Sequence, residues 1–66
     1  MTVVVNGEPR PVDAGTTLGA LLVSLGVRPA TVVVERNGEV VPRDAFDRTV
    51  LAEGDRLEVV RFVGGG

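Results

Sequence analysis

TVVVNGEPRPVDAGTTLGALLVSLG, residues 2–26, switches from a two-residue to a helical hydrophobic period, and that switch decides the fold. Thr2 to Val5 is a β-branched run, and Asn6-Gly7 follows it. That dipeptide accepts the positive φ angles of a tight hairpin turn, so the chain opens with a hairpin. The return strand, about Glu8 to Asp13, carries Pro9 and Pro11. Proline has no N–H to give a ladder, which puts this strand at a sheet edge, where it also discourages stray pairing. Ala14-Gly15 then breaks the strand and Thr16 or Thr17 caps a helix. Leu18, Leu21, Leu22 and Leu25 fall on one face at i, i+3, i+4, i+7, and Gly26 stops the helix. A helix this short does not persist alone in water, so its leucine stripe must be buried against the sheet.

The second half repeats the hairpin. Val32-Val33-Val34 leads into Asn37-Gly38 and returns through Val40 and Val41 to Pro42. Asn-Gly-Glu thus stands at both 6–8 and 37–39. Turn chemistry accounts for both copies; a duplicated unit or a binding loop is the alternative. No β pattern holds from Arg43 to Arg48, where Asp44-Ala45-Phe46 reads as a helical turn pinned by a buried Phe46. Val50 and Leu51 are expected to re-enter the core, Glu53-Gly54-Asp55 to turn, and Arg56 to Val63 to form the last strand. On that strand Leu57 and Val59 share one face while Glu58, Val60 and Phe62 share the other. One face must cover the helix. Val60, Phe62 and Val63 then either form an apolar docking patch or tuck under a loop. The expected class is α+β: a four- to five-stranded sheet with one main helix packed on one face, residues 1–63, followed by a flexible glycine tail, 64–66.

Composition narrows the function. The chain has 66 residues, and a chain of that size buries only about 60% of its unfolded surface, enough for one core. Its 44% hydrophobic content is mostly Val, Leu and Ala, which favours a folded β-branched core over disorder. Cysteine is absent, so no disulfide or thiolate metal site staples it; this suits a reducing cytoplasm. Val3-Val4-Val5 gives way at once to Asn6-Gly7-Glu8-Pro9, so neither a signal peptide nor a membrane span is expected. A net charge of −2 with scattered arginines leaves no basic block for nucleic acid. There is no His, Cys, Tyr, Trp or Lys, which removes the usual general base, thiol nucleophile, Schiff-base amine and most zinc ligands. A domain this small can hardly enclose a ligand pocket of a few hundred Å³. No residue is read as catalytic, no cofactor is expected, and the free chain is expected to be a monomer rather than an enzyme acting alone.

What remains is Gly64-Gly65-Gly66. Three glycines extend about 10 Å, carry no side chains to block a narrow channel, and leave no Cβ beside the last carboxylate. Such a segment can thread into another protein's active site, with the partner bearing the cost of ordering it. A carboxylate is a poor electrophile and needs activation, most simply as an acyl-adenylate. Chemistry would then occur at Gly66 and be catalysed elsewhere. A frayed end or an expression remnant is the competing account of the same residues.

The ordered set Val5-Asn6-Gly7-Glu8, Gly15-Thr16-Thr17-Leu18, Leu21-Leu22, Leu25-Gly26, Asn37-Gly38-Glu39-Val40-Val41-Pro42-Arg43, Gly54-Asp55 and Phe62-Val63-Gly64-Gly65-Gly66 resembles the bacterial thiamine-biosynthesis sulfur carriers of the ThiS type along the whole chain. The resemblance implies a β-grasp, ubiquitin-like fold. It also implies that an E1-like adenylyltransferase of the ThiF type adenylates Gly66, and that a persulfide donor converts it to a thiocarboxylate. A thiazole synthase of the ThiG type would then receive the sulfur. Gly65 and Gly66 match that family's diglycine; Gly64 extends it by one residue. The small subunit of molybdopterin synthase shares the fold and diglycine but tends to carry prolines before its tail, which Val60-Arg61-Phe62-Val63 lacks. A ubiquitin-like modifier forming isopeptide bonds, and a plain β-grasp interaction domain, are the other readings.

Overall fold

The computed structural model describes residues 1–61. Strand β1 (Thr2–Val5) turns through Asn6-Gly7 into β2 (Glu8–Pro11). Helix α1 (Leu18–Ser24) follows, then β3 (Val32–Arg36) and β4 (Glu39–Val41), and finally β5 (Arg56–Arg61). Single 3-10 segments, Pro29–Thr31 and Arg43–Arg48, fill the connections. The five strands form one sheet in the order β2-β1-β5-β3-β4. β5 is therefore central. It runs parallel to β1 and antiparallel to β3, and the two hairpins flank it.

Both hairpins turn as their dipeptides require. Asn6 and Gly7 have φ of 49° and 83°, Asn37 and Gly38 of 52° and 88°. Positive φ at both central residues is the turn whose twist matches the flanking strands. β2 lies at the edge, as its prolines demand, with Pro9 opposite Val4 and Pro11 opposite Thr2. It ends at Pro11, two residues short of the expected Asp13, although Val12 still exchanges hydrogen bonds with Met1.

Thr17 caps α1, its hydroxyl accepting from the Ala20 N–H at 3.1 Å, and Leu25 and Gly26 close the other end. Leu18, Leu21 and Leu22 are buried against the sheet, and Leu25 packs on the same core half-buried. Glycine inside a helix costs about 1 kcal/mol relative to alanine. At Gly19 that cost accompanies a close approach, for a Cβ there would run into the Asp47 carboxylate of the 3-10 segment. Val3, Val5, Val32, Val34, Phe46, Leu51 and Leu57 complete the core, with Phe46 buried as expected.

Val50 corrects the sequence reading. Leu51 enters the core, but Val50 is 54% exposed. Residues 49–51 lie extended beside the segment leading into α1: Leu18 N–H donates to Thr49 C=O and Leu51 N–H to Thr16 C=O, with Thr17 opposite Val50. Successive side chains of an extended segment point to opposite sides, so only one of the two apolar neighbours can face inward. The alternation pattern predicts a last strand reaching Val63; β5 is described to Arg61, and Phe62 and Val63 lie outside the described residues.

Candidate functional site

The site read from the sequence sits where β5 passes into Phe62-Val63-Gly64-Gly65-Gly66. Of the expected site residues, Val60 is described. Phe62 and Val63 of the patch, Gly64 and Gly65 of the tail and the attachment residue Gly66 lie outside the described residues. The structure therefore shows the root from which that segment springs.

The root is held from both sides. On one side β3 pairs with β5 from Leu57 to Arg61, with Val33 opposite Val60 and Val32 opposite Arg61. On the other side β1 stops at Val5, and the Asn6 side chain takes over its role. Asn6 N–H donates to Leu57 C=O; its Oδ1 then accepts from the Val59 N–H at 2.8 Å, and its Nδ2 donates to the Val59 C=O at 3.2 Å. One amide side chain thus replaces a strand residue in the ladder. Satisfying both backbone groups of Val59 fixes β5 two residues before its described end.

The other turn asparagine secures the beginning of the same strand. Asn37 Oδ1 accepts from the Arg56 N–H at 2.9 Å, and Asn37 Nδ2 donates to Asp55 Oδ1 at 3.0 Å. The remaining Asp55 oxygen accepts from Arg36 Nε at 2.9 Å and from the Ala52 N–H at 2.8 Å. Burial pushes the Asp55 carboxyl up. The Ala52 N–H, the Asn37 amide and the Arg36 guanidinium, with its charge, outweigh burial and hold it below the usual carboxylate value of 3.8. Both Asp55 oxygens are therefore occupied by donors of the fold, which makes it a structural fastener rather than a free base. Sequence reasoning assigns Asp55 to a turn and misses this role. The repeated Asn-Gly is the available signal, since both asparagines have side chains able to reach a neighbouring strand.

Alternation on β5 follows the expected pattern. Leu57 is buried and Val59 half-buried under the helix side, while Glu58 and Val60 are exposed, Val60 at 60%. Beside the strand's end an open groove of about 270 Å³ lies between the helix and the first hairpin. Val5, Leu25, Val27, Val32 and Val59 line it, and Arg10 and Arg61 stand at its rim. Among the described residues no cluster of His, Cys, Asp or Glu is arranged to hold a metal ion, and no helix is long and apolar enough to cross a membrane. The exposed apolar Val60 on a strand tied along both edges can make an apolar contact with another chain.

A mixed five-stranded sheet grasping one helix, with a central last strand leading to glycines, defines a β-grasp domain of the ubiquitin-like class. The crystal structure of the thiamine biosynthesis protein ThiS from Geobacter metallireducens superposes with a TM-score of 0.83 and 45% identity, covering all of both chains. The ThiS family model matches residues 3–66, and the chain belongs to that family. It is 39% identical to the sulfur carrier protein ThiS of Bacillus subtilis over 54 residues, 82% of this chain and 80% of that protein. It is also 52% identical over its full 66 residues to a thiazole synthase of Magnetococcus marinus. The chain spans 20% of the length of that synthase.

Proposed function

We propose that this chain is a sulfur carrier of thiamine biosynthesis, with Gly66 as the terminal residue that bears the sulfur. The supporting observation is the way β5 is tied down on both edges up to Val59 and Arg61 while the sequence beyond it ends in residues without side chains. A fixed root and a slender end suit delivery of one carboxylate into a partner's cleft. The Gly66 carboxylate attacks the α-phosphate of ATP on an E1-like adenylyltransferase, and pyrophosphate leaves. The terminal sulfur of a cysteine persulfide then attacks the acyl carbon and expels AMP. A thiol cleaves the resulting sulfur–sulfur bond and is itself oxidised to a disulfide, freeing the thiocarboxylate. A thiazole synthase is the acceptor; the likeness to a thiazole synthase over the whole of this chain supports that choice. All catalysis is the partners', and the carrier acts as their substrate.

Residues 1–63 form the folded carrier and 64–66 its working end in this reading. Val60, with Phe62 and Val63 beyond it, supplies the apolar contact that brings partners to that end. The test is ATP–pyrophosphate exchange by the adenylyltransferase of the same genome. Exchange should require the intact carrier and vanish on deletion of Gly65 and Gly66 together, which leaves no terminal diglycine, with thermal unfolding unchanged. Exchange that survived this double deletion would exclude the diglycine end as the activated one. A protein modifier would instead show as larger covalent adducts in cell extract.

A further inference from the structure

β5 loses its parallel neighbour before it ends. β1 pairs with it at Arg56 and Leu57, and the Asn6 N–H donates to the Leu57 C=O. A parallel ladder continued past that point would bond the Val59 backbone to the main chain of residues 6 and 8. The turn at Asn6-Gly7 prevents this, since Glu8 already lies in β2 opposite Val5. The Asn6 side chain supplies both missing bonds, accepting from the Val59 N–H at 2.8 Å and donating to the Val59 C=O at 3.2 Å. A side-chain amide carries one acceptor and one donor on a single planar group, as a peptide does. Glycine or aspartate would also suit the left-handed turn, but of the three only asparagine has that amide. Asn6 is exposed and both bonds face water, so each contributes about 1 kcal/mol or less to folding. Their specific effect is local: they fix Val59, the last residue of β5 held from both edges among those described.

We infer that Asn6 is a positioning residue for the activation of Gly66, acting through Val59 to aim the stretch of chain that leads from β5 to the glycines. The inference rests on the carrier reading and adds to it a residue that touches neither nucleotide nor acyl group. Without the amide clamp, β5 stays paired with β3 as far as Arg61, so Val60 is still presented and capture by the adenylyltransferase is retained. The other edge of β5 is then free beyond Leu57, and the strand can tilt about its pairing with β3. The carboxylate of a captured carrier would spend less of its time at the reacting phosphorus. Such a loss falls on kcat and spares KM, because it arises after binding.

Asn6→Gly keeps the left-handed turn and removes only the clamp, which makes it the variant to test. In ATP–pyrophosphate exchange by the adenylyltransferase of the same genome, it should lower kcat about tenfold and leave KM for the carrier within about twofold of wild type. Two controls separate positioning from general loosening. Asn37→Gly removes the corresponding side-chain bonds at the opposite end of β5, and Thr17→Ala removes the cap of α1 without touching β5. Both should keep the wild-type kcat at a temperature where circular dichroism shows every variant folded. A wild-type kcat in Asn6→Gly, or an equal fall in either control, would overturn the positioning role and leave the carrier reading standing. Wild type that supports no exchange and acquires no sulfur would overturn both.

Discussion

At Asp55 two opposing effects act on one carboxyl. Burial disfavours its charge, and three donors favour it more strongly, so its folded-state pKa lies below the unfolded value of 3.8. A group depressed in this way contributes stability that is fully present above the unfolded value and is lost as pH falls through the folded one. Urea unfolding should therefore show stability declining on acidification below about pH 4, where free aspartate protonates, and Asp55→Asn should flatten that limb. Asp55→Ala leaves the Asn37 amide, the Ala52 N–H and the Arg36 guanidinium without their acceptor, and should cost about 3 kcal/mol at neutral pH. Asn6 combines a left-handed backbone with two side-chain bonds to Val59. Asn6→Ala loses both and should destabilise by about 1–2 kcal/mol in the same assay. Asn6→Gly keeps the backbone and loses only the bonds, so it should fall between. Val60, exposed at 60%, makes a contrasting case. Val60→Asp should cost about 1 kcal/mol of stability, far less than a core substitution, while weakening capture by the adenylyltransferase.

Among the elements, those set by local chemistry are legible in the sequence. The two Asn-Gly dipeptides set both hairpins, the prolines put β2 at the edge, and the leucine spacing places α1 and its buried face. Thr17, one of two expected caps, holds the first turn, and Thr17→Ala should cost about 1 kcal/mol in thermal or urea unfolding. What escapes the sequence depends on contacts distant along the chain. Nothing local to Thr2–Val5 announces that it lies parallel to Arg56–Arg61, since parallel pairing joins strands through a crossover. Val50 reads as core because it is apolar and adjoins Leu51. Only the pairing of residues 49–51 with the entry to α1 decides which neighbour faces in. Asp55 is obscured for a related reason: Gly54-Asp55 reads as a turn, and its partners come from Arg36 and Asn37, far away in sequence.

The whole molecule is arranged around its last strand. β5 occupies the middle of the sheet, with β1 and Asn6 on one edge and β3 on the other, so the path leading to the glycines leaves from the best-supported part of the domain. The core uses no residue beyond Leu57 and Val59 of that strand among those described. The candidate site is legible only as residue types: glycines without side chains and one alternating apolar face. The most direct test is intact-mass analysis with fragmentation of the chain after incubation with ATP, the adenylyltransferase and a persulfide donor. The account predicts a mass gain equal to exchange of one oxygen for sulfur, carried by the fragment containing Gly66 and absent without ATP; an unchanged mass under these conditions, or sulfur borne elsewhere in the chain, would contradict it.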